Sequence, residues 1–166
     1  CRFNLQQPVA GPRLYAEGHI PGAFYADLDR DLSGAKLPEL GRHPLPDVVE
    51  LQKLLAGFGI GPESRVVVYD EGSGALAARL WWLLRWLGHA QVSLLDGGFA
   101  AWCAAGLPVS TAQPARRNGR FVGRPGSMPV LTTRDIEASL GTGKILLLDL
   151  RAHDRYLGRV EPIDPV

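Results

Sequence analysis

Few residues in this sequence could act as a nucleophile or a base, and their neighbours decide what each can do. Cys103 lies between Trp102 and Ala104 with no histidine, lysine or arginine beside it, so nothing in the sequence activates it as a thiolate. His19 could serve as a general base. It lies in a turn with glycine and proline, however, and we expect a structural role in which it hydrogen-bonds the backbone.

Three evenly spaced carboxylates, Asp27, Asp29 and Asp31, raise the question of a metal site. The continuation of a calcium-binding loop does not follow them. No cysteine–histidine cluster has the spacing of a zinc site. We therefore expect a solvated loop with helix-capping roles, and no metal.

A glycine-rich turn supports an alternative function. The run Gly72–Ala77 fits G-x-G-x-x-A after a strand, and Asp96 follows near the position of a ribose-binding acid. This pattern is found in NAD(P)-binding domains of oxidoreductases. Against it, Asp70 and Glu71 would place two carboxylates beside the pyrophosphate of the cofactor.

The composition is that of one ordinary globular core with some residues to spare. The chain has 166 residues, 46% hydrophobic and 21% charged, with a net charge of +1. The basic run Arg116–Arg120 is short and lies in a loop region, so no nucleic-acid partner is expected. No apolar run reaches membrane-spanning length, so no membrane partner is expected. Two cysteines favour a reducing, cytoplasmic location.

Hydrophobic periodicity predicts alternating helices and strands. The β-branched run at 65–70 predicts a strand buried on both faces, as in a parallel sheet. Helices alternating with strands predict an α/β fold in which helices flank a central parallel sheet. The predicted helices cover 46–58, 75–88 and 99–104, and the second strand covers 91–95.

The pattern is interrupted once and then restarts. Glycines and prolines between 110 and 130 indicate a linker or an arm packed on the surface. After it, Thr132 or Thr133 can cap a helix, and Lys144–Asp149 predicts a second buried strand. The roughly 17 residues that follow are too few to enclose that strand. We expect a first domain over 1–109, a linker over 110–130 and the truncated start of a second domain over 131–166.

Two motifs resemble signatures of the rhodanese family, whose members carry sulfur as a cysteine persulfide. The first is Gly-His-Ile-Pro-Gly-Ala at 18–23, and the second is Leu-Asp-Gly-Gly-Phe-Ala-Ala-Trp at 95–102. They stand in the family's order on either side of the predicted strand at 65–70. The resemblance implies a rhodanese-like three-layer α/β fold.

The same resemblance identifies Asp70 as the departure from an active domain. In catalytic members the strand ends in a cysteine, and the next loop points backbone N–H groups at its sulfur, which stabilises the anion. Asp70 occupies that position, and a carboxylate cannot form a persulfide. This is similar to the tandem rhodaneses of the thiosulfate and 3-mercaptopyruvate sulfurtransferase type, in which an inactive first domain precedes a catalytic one. The segments 81–89 and 149–158 extend the resemblance along the chain.

The resemblance also implies roles for residues of the second segment. Arg155 corresponds to the arginine that helps to hold the anionic sulfur donor, and its guanidinium suits an anionic oxygen group. Asp149 and Arg151 match a recurring D-x-R pair, which we expect to be a structural ion pair. Cys1–Arg2 matches the end of another such pair. The catalytic cysteine is expected beyond Val166.

The implied function is transfer of sulfane sulfur from thiosulfate or 3-mercaptopyruvate to cyanide or a thiol by the intact protein, with this chain alone inactive. The implied partners are a small-molecule donor and acceptor and the missing remainder of the second domain. No cofactor is implied. A non-catalytic rhodanese module for binding or regulation is the alternative, and the sequence past Val166 would distinguish the two.

Overall fold

The computed structural model describes residues 10–37, 40–115 and 117–162, and the chain divides into two compact units, Cys1–Pro129 and Val130–Val166. Cys1 and Arg2 lie outside the described residues. Within the described ranges, no helix combines the length and the apolar character needed to cross a membrane. The first unit contains α1 (Ala10–Glu17), α2 (Val48–Gly57), β1 (Val66–Val68), α3 (Ala77–Trp86), β2 (Val92–Leu94) and α4 (Gly98–Ala104), and the second contains α5 (Thr133–Ser139) and α6 (His153–Tyr156).

A parallel pair of strands joined by a helix forms the centre of the first unit. Val66 lies opposite Val92 and Val68 opposite Leu94, and α3 connects the two strands as the crossover of a βαβ unit. This pairing confirms the predicted α/β fold with a parallel sheet. The helices and strands predicted for this unit all form, whereas α1 was not predicted.

The core of the first unit lies on the face of the sheet that carries Val68 and Val92, and it includes residues of α2 and α3. Leu51 and Leu55 of α2 and Leu83 and Leu84 of α3 are fully buried in it. Each buried leucine contributes about 2 kcal/mol to folding. Asp47 caps α2 by accepting hydrogen bonds from the first-turn amides, which fixes where the helix begins.

The opposite face of the sheet departs from the prediction. Val68 is buried, but Val67, which points the other way, is 61% exposed. The prediction that this strand is buried on both faces is therefore wrong. The β-branched run is typical of a parallel strand that is covered on both faces, but no described element covers the Val67 side chain.

The segment 110–129 belongs to the first unit and packs against its helices. The Gly119 N–H donates to a carbonyl of α2 (2.9 Å), and the Arg124 N–H donates to the Leu87 carbonyl (3.0 Å). The Phe121 side chain is 8% exposed and belongs to the core cluster. The structure thus shows the arm that was one of the two interpretations of this stretch.

The second unit contains the clearest failure of the sequence patterns. The predicted strand over Lys144–Asp149 does not form, and Leu146 and Leu148 are 83% and 73% exposed. The described residues of this unit supply neither a neighbouring strand nor an apolar cover, since α5 and α6 bury no residue. The helix cap was predicted correctly, because the Thr132 hydroxyl accepts from the Asp135 N–H (3.2 Å).

A partly buried arginine on α3, Arg79, holds the loop that precedes α2. The Arg79 guanidinium donates to the carbonyls of Leu32 (3.1 Å), His43 (3.1 Å) and Pro44 (2.7 Å). Its burial lowers the pKa of the group from the usual arginine value. One side chain thus donates to three carbonyls of this loop, and the Pro44 carbonyl also accepts the Gly34 N–H (3.1 Å).

Replacing Arg79 with methionine is expected to lower the free energy of unfolding by about 2 kcal/mol, because the aliphatic stem is kept while the carbonyls lose a charged donor. Urea unfolding followed by tryptophan fluorescence measures this, since all four tryptophans lie in the first unit. Arg85→Met is the matched control on the same helix. Its guanidinium makes one long bond, to Ala90 (3.3 Å). Equal losses in the two variants would contradict the anchoring role of Arg79.

Candidate functional site

The carboxylate of Asp70, two residues after β1, lies in a nest of backbone amides. Its Oδ1 accepts hydrogen bonds from the N–H groups of Gly72 and Gly74, both at 2.9 Å. Its Oδ2 accepts from Leu76 (3.0 Å) and Ala77 (3.2 Å). The side chain is 1% exposed. Four amides that point at one position make a site for an anion.

The loop between β1 and α3 takes this shape because the Asp70 side chain, six residues before the N-cap position, caps α3. Leu76, at the N-cap position, provides no side-chain hydrogen bond to the helix. The Asp70 carboxylate instead satisfies the Leu76 and Ala77 amides at the positive end of the helix dipole. Gly74, with φ of 77°, supplies the left-handed residue that turns the loop back toward Asp70.

The second motif closes the same loop from the side. The N–H groups of Phe99 and Ala100, in the first turn of α4, donate to the carbonyls of Asp70 (2.8 Å) and Glu71 (2.9 Å). A Cβ on Gly98 would lie 2.6 Å from the Asp70 carbonyl oxygen. A glycine is therefore required at position 98 for α4 to approach the nest.

Two opposing effects set the protonation of Asp70. Burial disfavours the charged form and would raise the pKa of this carboxyl, but the hydrogen bonds from the Gly74, Ala77, Gly72 and Leu76 amides outweigh it, so the pKa lies below its ordinary value. The carboxylate is ionised at neutral pH. The nest thus holds a negative charge that belongs to the protein and cannot accept sulfur.

The same contacts weigh against dinucleotide binding at this loop. A G-x-G-x-x-A turn binds pyrophosphate through its free backbone amides at the helix start. Here the amides of Gly72 and Gly74 are already bonded to Asp70. The buried carboxylate would also repel the phosphates.

His19, in the first motif, is fully buried and contacts backbone on both sides of its ring. Nδ1 lies 2.8 Å from the Tyr15 carbonyl and Nε2 lies 3.1 Å from the Ala112 carbonyl. Its backbone N–H and C=O exchange hydrogen bonds with Ser110, both at 2.9 Å. These bonds hold the first motif against the arm.

The predicted residues of the second unit form an ion-pair network. Arg151 donates to both oxygens of Asp149, at 2.9 and 3.0 Å from Nε, and holds the pKa of that carboxyl below its usual range. Arg155 makes a bidentate pair with Glu161. The sequence patterns did not predict a role for Glu161, because a separation of six residues does not match the helical period at which side chains meet.

The remaining candidate residues make ordinary contacts. Asp27 accepts hydrogen bonds from the N–H groups of Asp29 and Arg30, both at 3.0 Å, as a loop cap. In the three described stretches, no group of three or more His, Cys, Asp or Glu side chains could hold a metal ion. Cys103 is exposed and has a free thiol.

Comparison with known proteins agrees with the two motifs. A family model described as a rhodanese-like domain matches residues 6–105. A Pseudomonas aeruginosa protein named "Probable 3-mercaptopyruvate sulfurtransferase" is 51% identical over 168 residues, which cover 100% of this chain and 59% of the relative. The thiosulfate sulfurtransferase of Azotobacter vinelandii is 33% identical over 169 residues, covering 93% of this chain and 60% of that protein.

A solved structure has the same fold along the chain. The 3-mercaptopyruvate sulfotransferase SseA from Escherichia coli matches with a TM-score of 0.85 and 27% identity, covering 99% of this chain and 62% of SseA. The helices and parallel sheet described above therefore belong to a three-layer α/β fold. The chain spans about 60% of the length of these proteins.

Proposed function

The chain belongs to the rhodanese family, and from that premise we propose that it is part of a tandem sulfurtransferase that uses thiosulfate or 3-mercaptopyruvate as donor. In this proposal residues 1–109 form a non-catalytic first domain and residues 110–130 connect it to the next. Residues 131–166 begin the catalytic domain, and the nucleophilic cysteine lies elsewhere in the protein. The names of the relatives support both donors.

The observation that carries this proposal is the Asp70 nest. The loop has the amides that would stabilise a thiolate or persulfide, but a buried, ionised carboxylate fills them. The first unit therefore keeps the architecture of a sulfur-transfer site without its chemistry. We infer that its role is to stabilise the catalytic domain.

The proposed reaction has two displacements. With thiosulfate as donor, the cysteine thiolate attacks the outer sulfur, the S–S bond breaks, and sulfite leaves with the electron pair, which produces a persulfide. An acceptor such as cyanide then attacks the outer sulfur of the persulfide, forming thiocyanate and restoring the thiolate. Arg155 would bind the anionic part of the donor through its guanidinium. We place this chemistry in the cytoplasm, with small molecules as donor and acceptor.

The test compares the chain with the full-length protein. The purified 166-residue chain, shown by mass to be free of any second fragment, is expected to form no thiocyanate from thiosulfate and cyanide and no pyruvate from 3-mercaptopyruvate. The full-length protein is expected to turn over at least one of the two donors. Turnover by the chain alone that is lost in Cys103→Ser or Cys1→Ser would overturn the proposal. A full-length protein inactive with both donors would favour a non-catalytic binding module.

A further inference from the structure

We propose that Glu161 occupies the anion-binding edge of Arg155, so that a sulfur donor must displace it and donor affinity is lowered. The proposal rests on the proposed function, in which Arg155 holds the donor. In this proposal Glu161 lowers the affinity for the donor, whereas Arg155 raises it.

The geometry of the pair is that of a bound oxyanion. Arg155 Nη2 lies 2.7 Å from Oε1 and 2.9 Å from Oε2 of Glu161, and Nε lies 3.2 Å from Oε2. Two parallel N–H groups on one edge of the guanidinium thus donate hydrogen bonds to the two oxygens of one carboxylate. Both side chains are largely enclosed, at 14% and 17% exposure. The pair is therefore held in a defined arrangement rather than loosely at the surface.

The donors present the same chemical groups as Glu161. The carboxylate of 3-mercaptopyruvate is chemically equivalent to the glutamate side chain, and thiosulfate offers three equivalent oxygens to the same fork. A donor that uses this edge of Arg155 finds it already satisfied by Glu161. Its binding free energy is then the difference between two similar contacts, which lowers donor affinity.

The charge of the surrounding network adds to this effect. Asp149 and Glu161 contribute two negative charges, and Arg151 and Arg155 contribute two positive ones. Arg151 Nη1 lies 3.9 Å from Glu161 Oε2, so both guanidinium groups face the same carboxylate. The four groups sum to zero while Glu161 is ionised. Neutralising Glu161 makes the charge beside the two arginines more positive by one unit, which favours an arriving anion.

The test is the variant Glu161→Gln in the full-length protein. It keeps the size of the side chain and one oxygen acceptor for Arg155 but removes the charge. We expect pyruvate and sulfate, which carry no transferable sulfur, to bind about fivefold tighter by calorimetry, with the KM for the donor lowered by a similar factor and kcat unchanged. Glu137→Gln makes the same charge change at an exposed position of α5 and should leave binding unchanged. The double variant Glu161→Gln/Arg155→Gln should lose the gain.

The binding measurement separates this inference from the proposed function. Unchanged or weaker anion binding in Glu161→Gln would overturn the role of Glu161, even with full sulfurtransferase activity. Equal gains in Glu161→Gln and Glu137→Gln would also overturn it, since they would indicate a general charge effect. Tighter binding that depends on Arg155, in a protein that turns over neither donor, would support the displacement by Glu161 and refute the sulfur-transfer function.

Discussion

Replacement of Asp70 with alanine is expected to lower the free energy of unfolding of the first unit by about 3 kcal/mol. Four backbone N–H groups lose their acceptor at a position that is 1% exposed, and the first turn of α3 loses its cap. Water that enters the vacated space can satisfy part of this loss. Urea unfolding followed by tryptophan fluorescence is well suited to the measurement, because Trp81, Trp82 and Trp86 lie on α3.

Two variants separate the nest from a general effect of losing a carboxylate. Asp70→Asn can keep the Oδ1 contacts with Gly72 and Gly74, but its NH₂ group then faces the Leu76 and Ala77 amides. We therefore expect Asp70→Asn to lower the free energy of unfolding, but by less than Asp70→Ala does. Asp96→Ala removes an exposed carboxylate after the neighbouring strand and should change stability by less than about 0.5 kcal/mol. If Asp70→Ala lowers the free energy of unfolding no more than Asp96→Ala does, the Asp70 carboxylate does not organise the loop.

The contribution of Asp70 to stability has a defined pH dependence. Because the pKa of this carboxyl is lower in the folded chain than in the unfolded one, the stabilisation is fully present above about pH 4. It is lost as the pH falls through the lower, folded-state pKa. The difference in unfolding free energy between the wild type and Asp70→Asn should therefore narrow as the solution is acidified below pH 4.

Replacement of Asp70 with cysteine is expected to place a thiolate in the nest. Burial disfavours a charged sulfur, but the amides that outweigh burial for the carboxylate point at the same position. We therefore expect the pKa of the introduced thiol to lie well below that of an ordinary cysteine, so that the group is mostly thiolate at pH 7 instead of a few per cent. This large change would show that the nest is a working anion site.

The measurement is a pH titration of thiolate absorbance near 240 nm in a chain whose natural cysteines are replaced by Cys1→Ser and Cys103→Ser. Absorbance is suitable because it does not require a reagent to enter the buried site. Ser73→Cys, at an exposed position of the same loop, is the control and should titrate as an ordinary cysteine. Titration of both variants in the same pH range would mean that the amides do not stabilise an anion.

Sequence reasoning succeeded where local pattern and motif coincide. The helices around Leu51 and Leu83 follow from apolar periodicity, and the place of Asp70 at the end of β1 follows from the family resemblance. The approach of Gly98 to the Asp70 carbonyl could not be predicted, because it depends on how two loops meet in space. The pairing of Arg155 with Glu161 was missed for the same reason, since no periodicity marks a contact over six residues.

The failed prediction at Lys144–Asp149 has a different cause. A run of leucines is typical of a strand buried inside a sheet. The run itself does not indicate whether neighbouring strands are present to form that sheet. Leu146 and Leu148 are exposed because the described residues of the second unit provide no partner. The exposed Val67 on β1 illustrates the same limit. The composition of a segment indicates the environment that it suits. Whether the segment is buried depends on the helices and strands that pack against it.

The arm over 110–129 makes folding of the first unit depend on the order of synthesis. His19 receives its backbone partner, Ser110, only after about 90 further residues have been made, and the core receives Phe121 later still. At about 5–20 residues per second, a ribosome needs roughly 5–20 s for that stretch. Throughout that interval the first motif is complete in sequence but lacks its contacts with Ser110 and Ala112. Translation speed across residues 20–120 therefore determines how long a nascent chain presents this unfinished surface to chaperones and proteases.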